Sequence, residues 1–258
     1  MARRSAKKAI KRSGVQRQED RRAIPDNVRV LFDEGWSPVE RDVQVADHRD
    51  QSFKKTIRPQ NDSQAELFKH IDEKSVVFAC GPAGTGKTYV AVAKAVEALE
   101  AGQIGRIILS RPAVEAGESL GYLPGDMEEK LSPYLRPLYD ALTDRLSAKR
   151  VRQLMAEGII EVAPIAFMRG RTLNNAFVVI DEAQNCTYAQ LKMLLTRLGW
   201  HSTMVVTGDP EQTDLLPGVS GLAEICDKLE EVEEIGVTRF KAADIVRHPL
   251  VAKMVEKI

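Results

Sequence analysis

The chain has 258 residues, of which 43% are apolar and 29% are charged, so it suits one large domain or two small ones of ordinary globular composition. Its 37 basic and 37 acidic side chains cancel, which excludes a polycation that coats nucleic acid along its whole length. No apolar run reaches the roughly 18 residues of a membrane span, so we expect no membrane-spanning segment.

Residues 1–22 form a strongly basic segment, with nine Lys or Arg against two acidic side chains and only Ile10 and Val15 as sizeable apolar residues. Such a segment cannot bury enough apolar surface to offset its loss of chain entropy, so we predict a disordered tail. Its charge suits the phosphates of RNA or DNA, although a tail that only adds solubility has the same composition. We predict an arm over 23–61 and the globular domain over 62–258.

From residue 62 onward, helical and strand patterns alternate. Residues with helical spacing predict helices over 62–71, 88–99 and 187–198. Short apolar runs predict strands over 75–80, 106–110, 159–162, 177–180 and 204–207. Continuously apolar strands that alternate with helices indicate a parallel sheet covered on both faces. We therefore predict an α/β protein, a three-layer α/β sandwich with a mainly parallel sheet.

The segment GPAGTGKT (81–88) matches the phosphate-binding loop (P-loop) pattern G-x-x-x-x-G-K-[ST], and it lies between a predicted strand and a predicted helix. Its glycines let backbone N–H groups turn toward phosphates, and the following helix directs its positive end at the same anion. We expect Lys87 to reach the β and γ phosphates and Thr88 to bind Mg²⁺. The candidate nucleotide-binding residues here are Gly81, Pro82, Ala83, Gly84, Thr85, Gly86, Lys87 and Thr88.

Two carboxylates, Asp181 and Glu182, directly follow the strand predicted at 177–180. Ligands of open α/β sheets bind at the carboxyl ends of the strands. We expect Asp181 to hold Mg²⁺ through water and Glu182 to polarise an attacking water, which predicts hydrolysis rather than transfer to a bound hydroxyl. The alternative for this motif alone is an acidic pair that begins a helix.

The segment TGDPEQ (207–212) follows the last predicted strand. Gly208 and Pro210 predict a tight turn that exposes Asp209 and Gln212 at the same edge of the sheet. A glutamine amide at this place can sense a γ-phosphate or orient water. An ordinary polar turn is the alternative.

Six segments together resemble the PhoH-like family of single-domain ATPases, which are similar to the first motor domain of superfamily-one helicases. They are GPAGTGKT (81–88), SRPAVEAGESLGYLPG (110–125), IAFMRGRTL (165–173), VVIDEAQN (178–185), TGDPEQTD (207–214) and DIVRHPLV (244–251). The resemblance covers about residues 60–250 and leaves the basic tail outside. It implies a RecA-like P-loop fold and Mg²⁺-dependent hydrolysis of ATP, coupled to RNA.

The resemblance also implies roles for two more residues. Gln64 lies where related helicases place a glutamine that reads adenine, and an amide can pair with both a donor and an acceptor of that base. Without the family, Gln64 is a surface helix residue. Arg247 precedes a proline that bends the chain, and it is expected to stabilise charge on the γ-phosphate, in cis or from a neighbouring subunit. A helix-end arginine is its alternative.

Three arginines are candidate contacts for RNA or for the nucleotide. Arg111 follows a predicted strand, as a nucleic-acid motif does in related helicases, whereas Arg169 and Arg171 form a basic loop. The alternative for each is a solvated ion pair. With the basic tail, these arginines favour single-stranded RNA as the partner.

Related helicases place their nucleotide between two RecA-like domains, and this chain has room for one. We therefore expect a homo-oligomer, such as a hexameric ring, in which a neighbouring subunit covers the nucleotide. Two other functions stay open, a P-loop small-molecule kinase and a nucleotide-switched RNA-binding protein with little turnover. The three scattered cysteines lack CxxC spacing, which indicates reduced thiols, no zinc site and a cytoplasmic location.

Overall fold

Six parallel strands form a single sheet in the computed structural model, which describes residues 57–112 and 127–246. The strands are β1 (Val76–Cys80), β2 (Arg106–Arg111), β3 (Ile160–Pro164), β4 (Ala176–Ile180), β5 (Thr203–Gly208) and β6 (Ile235–Arg239). Their order across the sheet is β3-β2-β4-β5-β1-β6. The predicted tail, most of the predicted arm, the segment 113–126 and Arg247 lie outside the described residues.

Helices cover both faces of this sheet. They are α1 (Asp62–Glu73), α2 (Lys87–Glu100), α3 (Met127–Arg145), α4 (Ala148–Ala156), α5 (Tyr188–Leu195) and α6 (Leu222–Leu229), with short 3₁₀ helices at Ile165–Met168, Ala183–Asn185 and Ala242–Asp244. In the described ranges, no helix combines the length and the apolar character that crossing a bilayer requires.

Successive residues of each strand contribute side chains to two separate hydrophobic cores, one on each face of the sheet, because side chains alternate between the faces. Val77 and Val179 pack with α1–α4 on one face. Phe78 and Val178 pack with α5, α6 and the first 3₁₀ helix on the other. The buried apolar runs predicted from the sequence therefore serve both faces, and the predicted three-layer α/β sandwich is confirmed.

The sequence predicted β1–β5 but not β6, α3, α4 or α6. Strand β6 is an edge strand whose burial alternates, so its sequence IGVTR lacks a continuous apolar run. The capping box that begins α5 is confirmed, with Thr187 and Gln190 exchanging hydrogen bonds. The predicted end of this helix at Leu198 is wrong: α5 ends at Leu195, and the chain continues in i→i+3 turns only to Leu198.

The topology brings separate parts of the sequence together at the carboxyl ends of the strands. Strand β5 lies between β1, which leads into the P-loop, and β4, which leads into Asp181. The end of β1 pairs with Gly208 of β5, and Ser110 of β2 pairs with Ile180 of β4. The four segments that follow β1, β2, β4 and β5 therefore share one edge of the sheet.

Candidate functional site

The P-loop passes close to its own chain at two glycines. Gly81 has a φ of 137°, and a Cβ there would lie 2.4 Å from the Phe240 carbonyl oxygen. Gly86, with a φ of 85°, is the N-cap of α2, and a Cβ there would lie 2.9 Å from Nε2 of Gln64. Both positions need glycine for conformation and for space, because Phe240 lies against one end of the loop and Gln64 against the other.

Lys87 is folded into the loop that precedes it. Its Nζ donates to the carbonyl oxygens of Gly81 at 2.6 Å and Pro82 at 2.7 Å, and only 8% of the residue is exposed. Burial lowers the pKa of Lys87, and the negative charges of Asp209, Glu182 and Asp181 oppose that effect. The three carboxylates therefore lie near enough to Lys87 to form one charged site with it.

Asp181 joins the P-loop to the neighbouring strands. Its Oδ1 accepts hydrogen bonds from Oγ1 of Thr88 at 2.6 Å and from Oγ1 of Thr207 at 2.7 Å, and the residue is buried. A hydroxyl and a carboxylate are hard oxygen donors, the type that Mg²⁺ prefers, so these residues fit that ion. Sequence reasoning missed Thr207, although its position at the end of β5 was a usable signal.

Glu182 has an unusual backbone and two partners for its carboxylate. Its φ of 53° lies in the left-handed region, which costs a non-glycine residue about 1–3 kcal/mol. Oε1 accepts from Nη2 of Arg111 at 3.0 Å, and Oε2 accepts from Nε2 of Gln184. Its side chain stays 36% exposed. The carboxylate is thus held in a fixed orientation beside Asp181.

Arg111, predicted to contact RNA or the nucleotide, lies inside the site. Besides its bond to Glu182, its Nη1 donates to the Tyr134 carbonyl oxygen at 3.1 Å and lies 3.9 Å from Oδ2 of Asp181. The reason is the parallel pairing of β2 with β4, which places Arg111 beside the acidic pair. An RNA phosphate therefore has to compete with Glu182 for this guanidinium.

The turn after β5 forms as expected, but its side chains are arranged differently. The amide of Gln212 donates to the Asp209 carbonyl oxygen at 3.0 Å, and Gln212 is exposed. The predicted exposure of Asp209 is wrong, since only 7% of it is accessible. Its carboxylate accepts from the amide of Glu211 at 3.1 Å, and its own amide donates to Oε1 of Gln184, also at 3.1 Å. These hydrogen bonds hold Asp209 in a buried position after β5.

Gln64 is buried against the P-loop, which rules out the interpretation as a surface residue. Its Nε2 donates to the Thr85 carbonyl oxygen at 3.0 Å, and its Oε1 accepts from the amide of Gln60 at 2.9 Å. Both ends of the amide therefore bond to the protein backbone. The role of Gln64 in reading adenine stays a prediction.

The last described segment also docks on the P-loop. The amide of Phe240 donates to the Cys80 carbonyl oxygen at 2.7 Å, and the amide of Val246 donates to the Gly84 carbonyl oxygen at 2.9 Å. Between them, Asp244 accepts from Oγ of Ser63 at 2.8 Å. Arg247 lies outside the described residues, directly after an amide that bonds the P-loop.

A cavity of about 430 Å³ opens beside Glu182, between the strand ends and α3. Tyr89 crosses toward α3, with its hydroxyl donating to Oδ2 of Asp144 at 2.7 Å. The lining residues are Thr88, Tyr89, Arg111, Pro137, Asp140, Ala141, Asp144, Asp181 and Glu182. The cavity therefore adjoins the side chains that fit Mg²⁺.

The basic loop after β3 has one engaged and one exposed arginine. Arg171 makes two bonds to the carboxylate of Glu161, at 2.5 and 2.6 Å, which matches the ion-pair alternative. Arg169 is exposed, and so is Phe167, with 52% of its surface accessible. The exposed pair follows the end of β3, next to β2.

The family model described as "PhoH-like protein" matches residues 56–258. The chain belongs to the PhoH-like family. It is 57% identical over 203 residues to a PhoH-like protein of Bacillus subtilis (strain 168), which covers 78% of this chain and 64% of that protein. It is 45% identical over 255 residues to Protein PhoH of Escherichia coli (strain K12), which covers 96% of this chain and 69% of that one. The resemblance inferred from the six motifs is confirmed.

This family member spans 64% of the length of its Bacillus subtilis relative. Among solved structures, it is similar to the large terminase from a thermophilic bacteriophage, with a TM-score of 0.47 and 14% identity over 78% of this chain and 50% of the terminase. That likeness is too distant to bear on activity. The matching family and the site's own geometry show a P-loop NTPase domain.

Proposed function

We propose that this PhoH-like chain is a Mg²⁺-dependent ATPase that acts with single-stranded RNA. The observation that carries the proposal is the 2.6 Å hydrogen bond from Thr88 to Asp181. It links the phosphate-binding loop to the acidic strand end, so the residues for binding a triphosphate and for activating water share one site. Glu182, next to Asp181, is the base of the proposed reaction.

The proposed mechanism assigns each step to a side chain of this chain. Lys87 exchanges the carbonyl oxygens of Gly81 and Pro82 for the β and γ phosphates, while the backbone N–H groups of the loop and the end of α2 bind the same phosphates. Thr88 and Asp181 hold Mg²⁺, which supplies charge neutralisation to the phosphate oxygens when bound. Glu182 orients a water in line with the γ-phosphate and accepts its proton.

Arg247 is proposed to complete this site by stabilising charge on the γ-phosphate. The bond from Val246 to Gly84 supports a role in cis, because it keeps the preceding residue on the P-loop of the same chain. A homo-oligomeric ring, in which the neighbouring subunit supplies the arginine, stays the alternative arrangement. Gln212, exposed beside the site, is proposed to contact the nucleotide or its water.

A second candidate, a nucleotide-switched RNA-binding protein with little turnover, has one observation in its favour. Both carboxylate oxygens of Glu182 accept hydrogen bonds from within the chain, from Arg111 and Gln184. A carboxylate whose two oxygens each already accept a hydrogen bond has less capacity left to bind and activate a water. Turnover, rather than nucleotide binding, separates this candidate from the ATPase.

The deciding measurement is phosphate release from ATP by the purified chain, with Mg²⁺ or excess EDTA and with or without an oligouridine strand. We expect release that depends on Mg²⁺ and increases with RNA, because the Thr88–Asp181 pair needs the ion to engage the phosphates. Tight nucleotide binding without phosphate release in any condition, together with oligouridine binding that changes with the nucleotide, would instead establish the switched RNA-binding protein.

The proposal for RNA depends on a surface formed by Phe167 and Arg169. Pro164, the last residue of β3, pairs with Arg111, so the exposed ring and guanidinium that follow lie near the site. An exposed aromatic ring stacks on any base, and an arginine beside it binds the adjacent phosphate. This pairing is typical of single-stranded nucleic-acid binding without sequence preference.

We expect Phe167→Ala to weaken oligouridine binding by about fivefold to a hundredfold, since stacking of one base on an aromatic ring contributes about 1–3 kcal/mol. Arg169→Ala is expected to weaken it less and to flatten the salt dependence. The matched control is Trp200→Ala, because Trp200 is also exposed, at 83%. It lies before β5, at the amino ends of the strands and so away from the site. Fluorescence anisotropy measures all three. Equal losses for Phe167→Ala and Trp200→Ala would remove this surface from the proposal.

A further inference from the structure

The carboxylate of Glu182 sits in the middle of a hydrogen-bonded chain that crosses three strand ends. On one side, Arg111 at the end of β2 donates to Oε1 at 3.0 Å. On the other, Gln184 donates to Oε2, and its own Oε1 accepts from the amide of Asp209 after β5 at 3.1 Å. Gln184 is buried, with 3% of it exposed. The two partners of Glu182 are therefore unlike: one is a neutral amide fixed in the core, and the other is a cation.

Arg111 is placed to leave Glu182 without disturbing the core. Its side chain is 20% exposed, and it reaches Glu182 from the rim of the cavity. Among the described residues that line this cavity, Arg111 is the cation and four are carboxylates: Asp140, Asp144, Asp181 and Glu182. Its bond to the Tyr134 carbonyl oxygen, at 3.1 Å, anchors one nitrogen while the other holds Glu182. The guanidinium therefore restrains the base through a single nitrogen.

We propose that Arg111 is a positioning residue that restrains Glu182 until a backbone phosphate of bound single-stranded RNA takes the guanidinium. This inference deepens the proposed function and rests on it. While Oε1 of Glu182 accepts the hydrogen bond from Arg111, that oxygen is occupied by the guanidinium, and loss of the bond leaves it free to accept a hydrogen bond from water. Gln184 keeps the other oxygen in place, so Glu182 is released without losing its orientation.

The position of Arg111 favours an RNA phosphate as the ligand that binds its guanidinium in place of Glu182. Pro164 pairs with Arg111 in the sheet, and the exposed Phe167 and Arg169 follow within a few residues. RNA stacked on Phe167 therefore brings its backbone to the β2 end. A guanidinium binds phosphate with two parallel hydrogen bonds, which exceeds the single bond from Nη2 to Glu182. Binding of RNA is thereby coupled to release of the base.

The test compares the parent chain with Arg111→Gln and Arg111→Lys, each at saturating MgATP with and without an oligouridine strand. For Arg111→Gln we expect kcat without RNA to rise about threefold to tenfold, since a partly exposed charged bond is lost, with KM for ATP within twofold. Stimulation by RNA, as the ratio of the two rates, should fall toward one. Arg111→Lys keeps a cation but cannot make the two parallel hydrogen bonds to phosphate, so it should lose most of the stimulation.

Two further variants make the outcome specific. Arg239→Gln removes an arginine that also pairs with carboxylates, Asp227 at 3.0 Å and Glu230 at 2.7 Å, but on β6 at the far side of the sheet, and it should behave as the parent. Adding Glu182→Gln to Arg111→Gln should abolish the gain, because the gain passes through the base. Unfolding midpoints confirm that all variants are folded.

A fall of kcat without RNA in Arg111→Gln would overturn the inference, because Arg111 would then serve the chemistry directly. An unchanged ratio of stimulation would overturn it as well. If neither the parent nor any variant releases phosphate, with or without RNA, the proposed ATPase function itself fails, and the inference falls with it. If only Arg111→Gln releases phosphate, and the parent stays inactive even with RNA, the release of Glu182 by RNA is overturned.

Discussion

Lys87→Ala is expected to weaken ATP binding by at least about thirtyfold. Truncating one partner of a buried, charged hydrogen-bond pair costs about 2–5 kcal/mol, and Lys87 is the buried cation of the P-loop. The variant removes the charge that offsets the triphosphate and leaves the loop's glycines in place. Isothermal titration with a slowly hydrolysed ATP analogue and Mg²⁺ measures the change.

The matched control for this result is Lys94→Ala. Lys94 lies on the same helix, α2, two turns further along, and its Nζ pairs with Asp72 at 2.6 Å. We expect it to bind the analogue as the parent does. Thermal unfolding of both variants checks that the helix persists, since Lys87 also donates to the Gly81 and Pro82 carbonyl oxygens. Parental affinity in a folded Lys87→Ala variant would remove this lysine from the phosphate site.

Glu182→Gln is expected to keep nucleotide affinity within about twofold and to lower kcat by about a hundredfold to ten-thousandfold, the usual contribution of a general base. The amide has the shape of the carboxylate, and its oxygen can still accept from Arg111. It cannot accept a proton from water. Phosphate release at saturating MgATP measures the loss, and titration measures the affinity.

Glu211→Gln makes the same chemical change on an exposed side chain in the turn after β5, and it should hydrolyse ATP at the parental rate. If Glu182→Gln also hydrolyses at that rate, another group activates the water. The results for Lys87→Ala and Glu182→Gln together separate the residue that binds the nucleotide from the residue that activates water. A loss of binding in Lys87→Ala, with a loss of turnover alone in Glu182→Gln, is the pattern of a hydrolase.

The P-loop and the acidic strand end were predictable because their signals are local. The pattern of Gly81–Thr88 specifies a loop that only small residues can form, and the apolar strand before it marks its place in the sheet. The apolar run before Asp181 does the same for the second motif. The carboxyl ends of parallel strands share an edge, so these two segments could be placed together without coordinates.

The sequence by itself determined the class of fold, the five strands β1–β5, and the residue types of the nucleotide site, since each follows from a short, mainly apolar run or from a contiguous motif. Only the tertiary structure decided which polar groups meet. Arg111 and Glu182, which form a hydrogen bond, are 71 residues apart in the sequence. The Asn61 side chain donates to the Asp244 carbonyl oxygen at 3.2 Å across 183 residues. A polar side chain bonds whichever partner the sheet order brings within about 3 Å, and no local pattern encodes that partner. For the same reason the burial of Gln64 and Asp209, and the edge strand β6, became visible only in the folded chain.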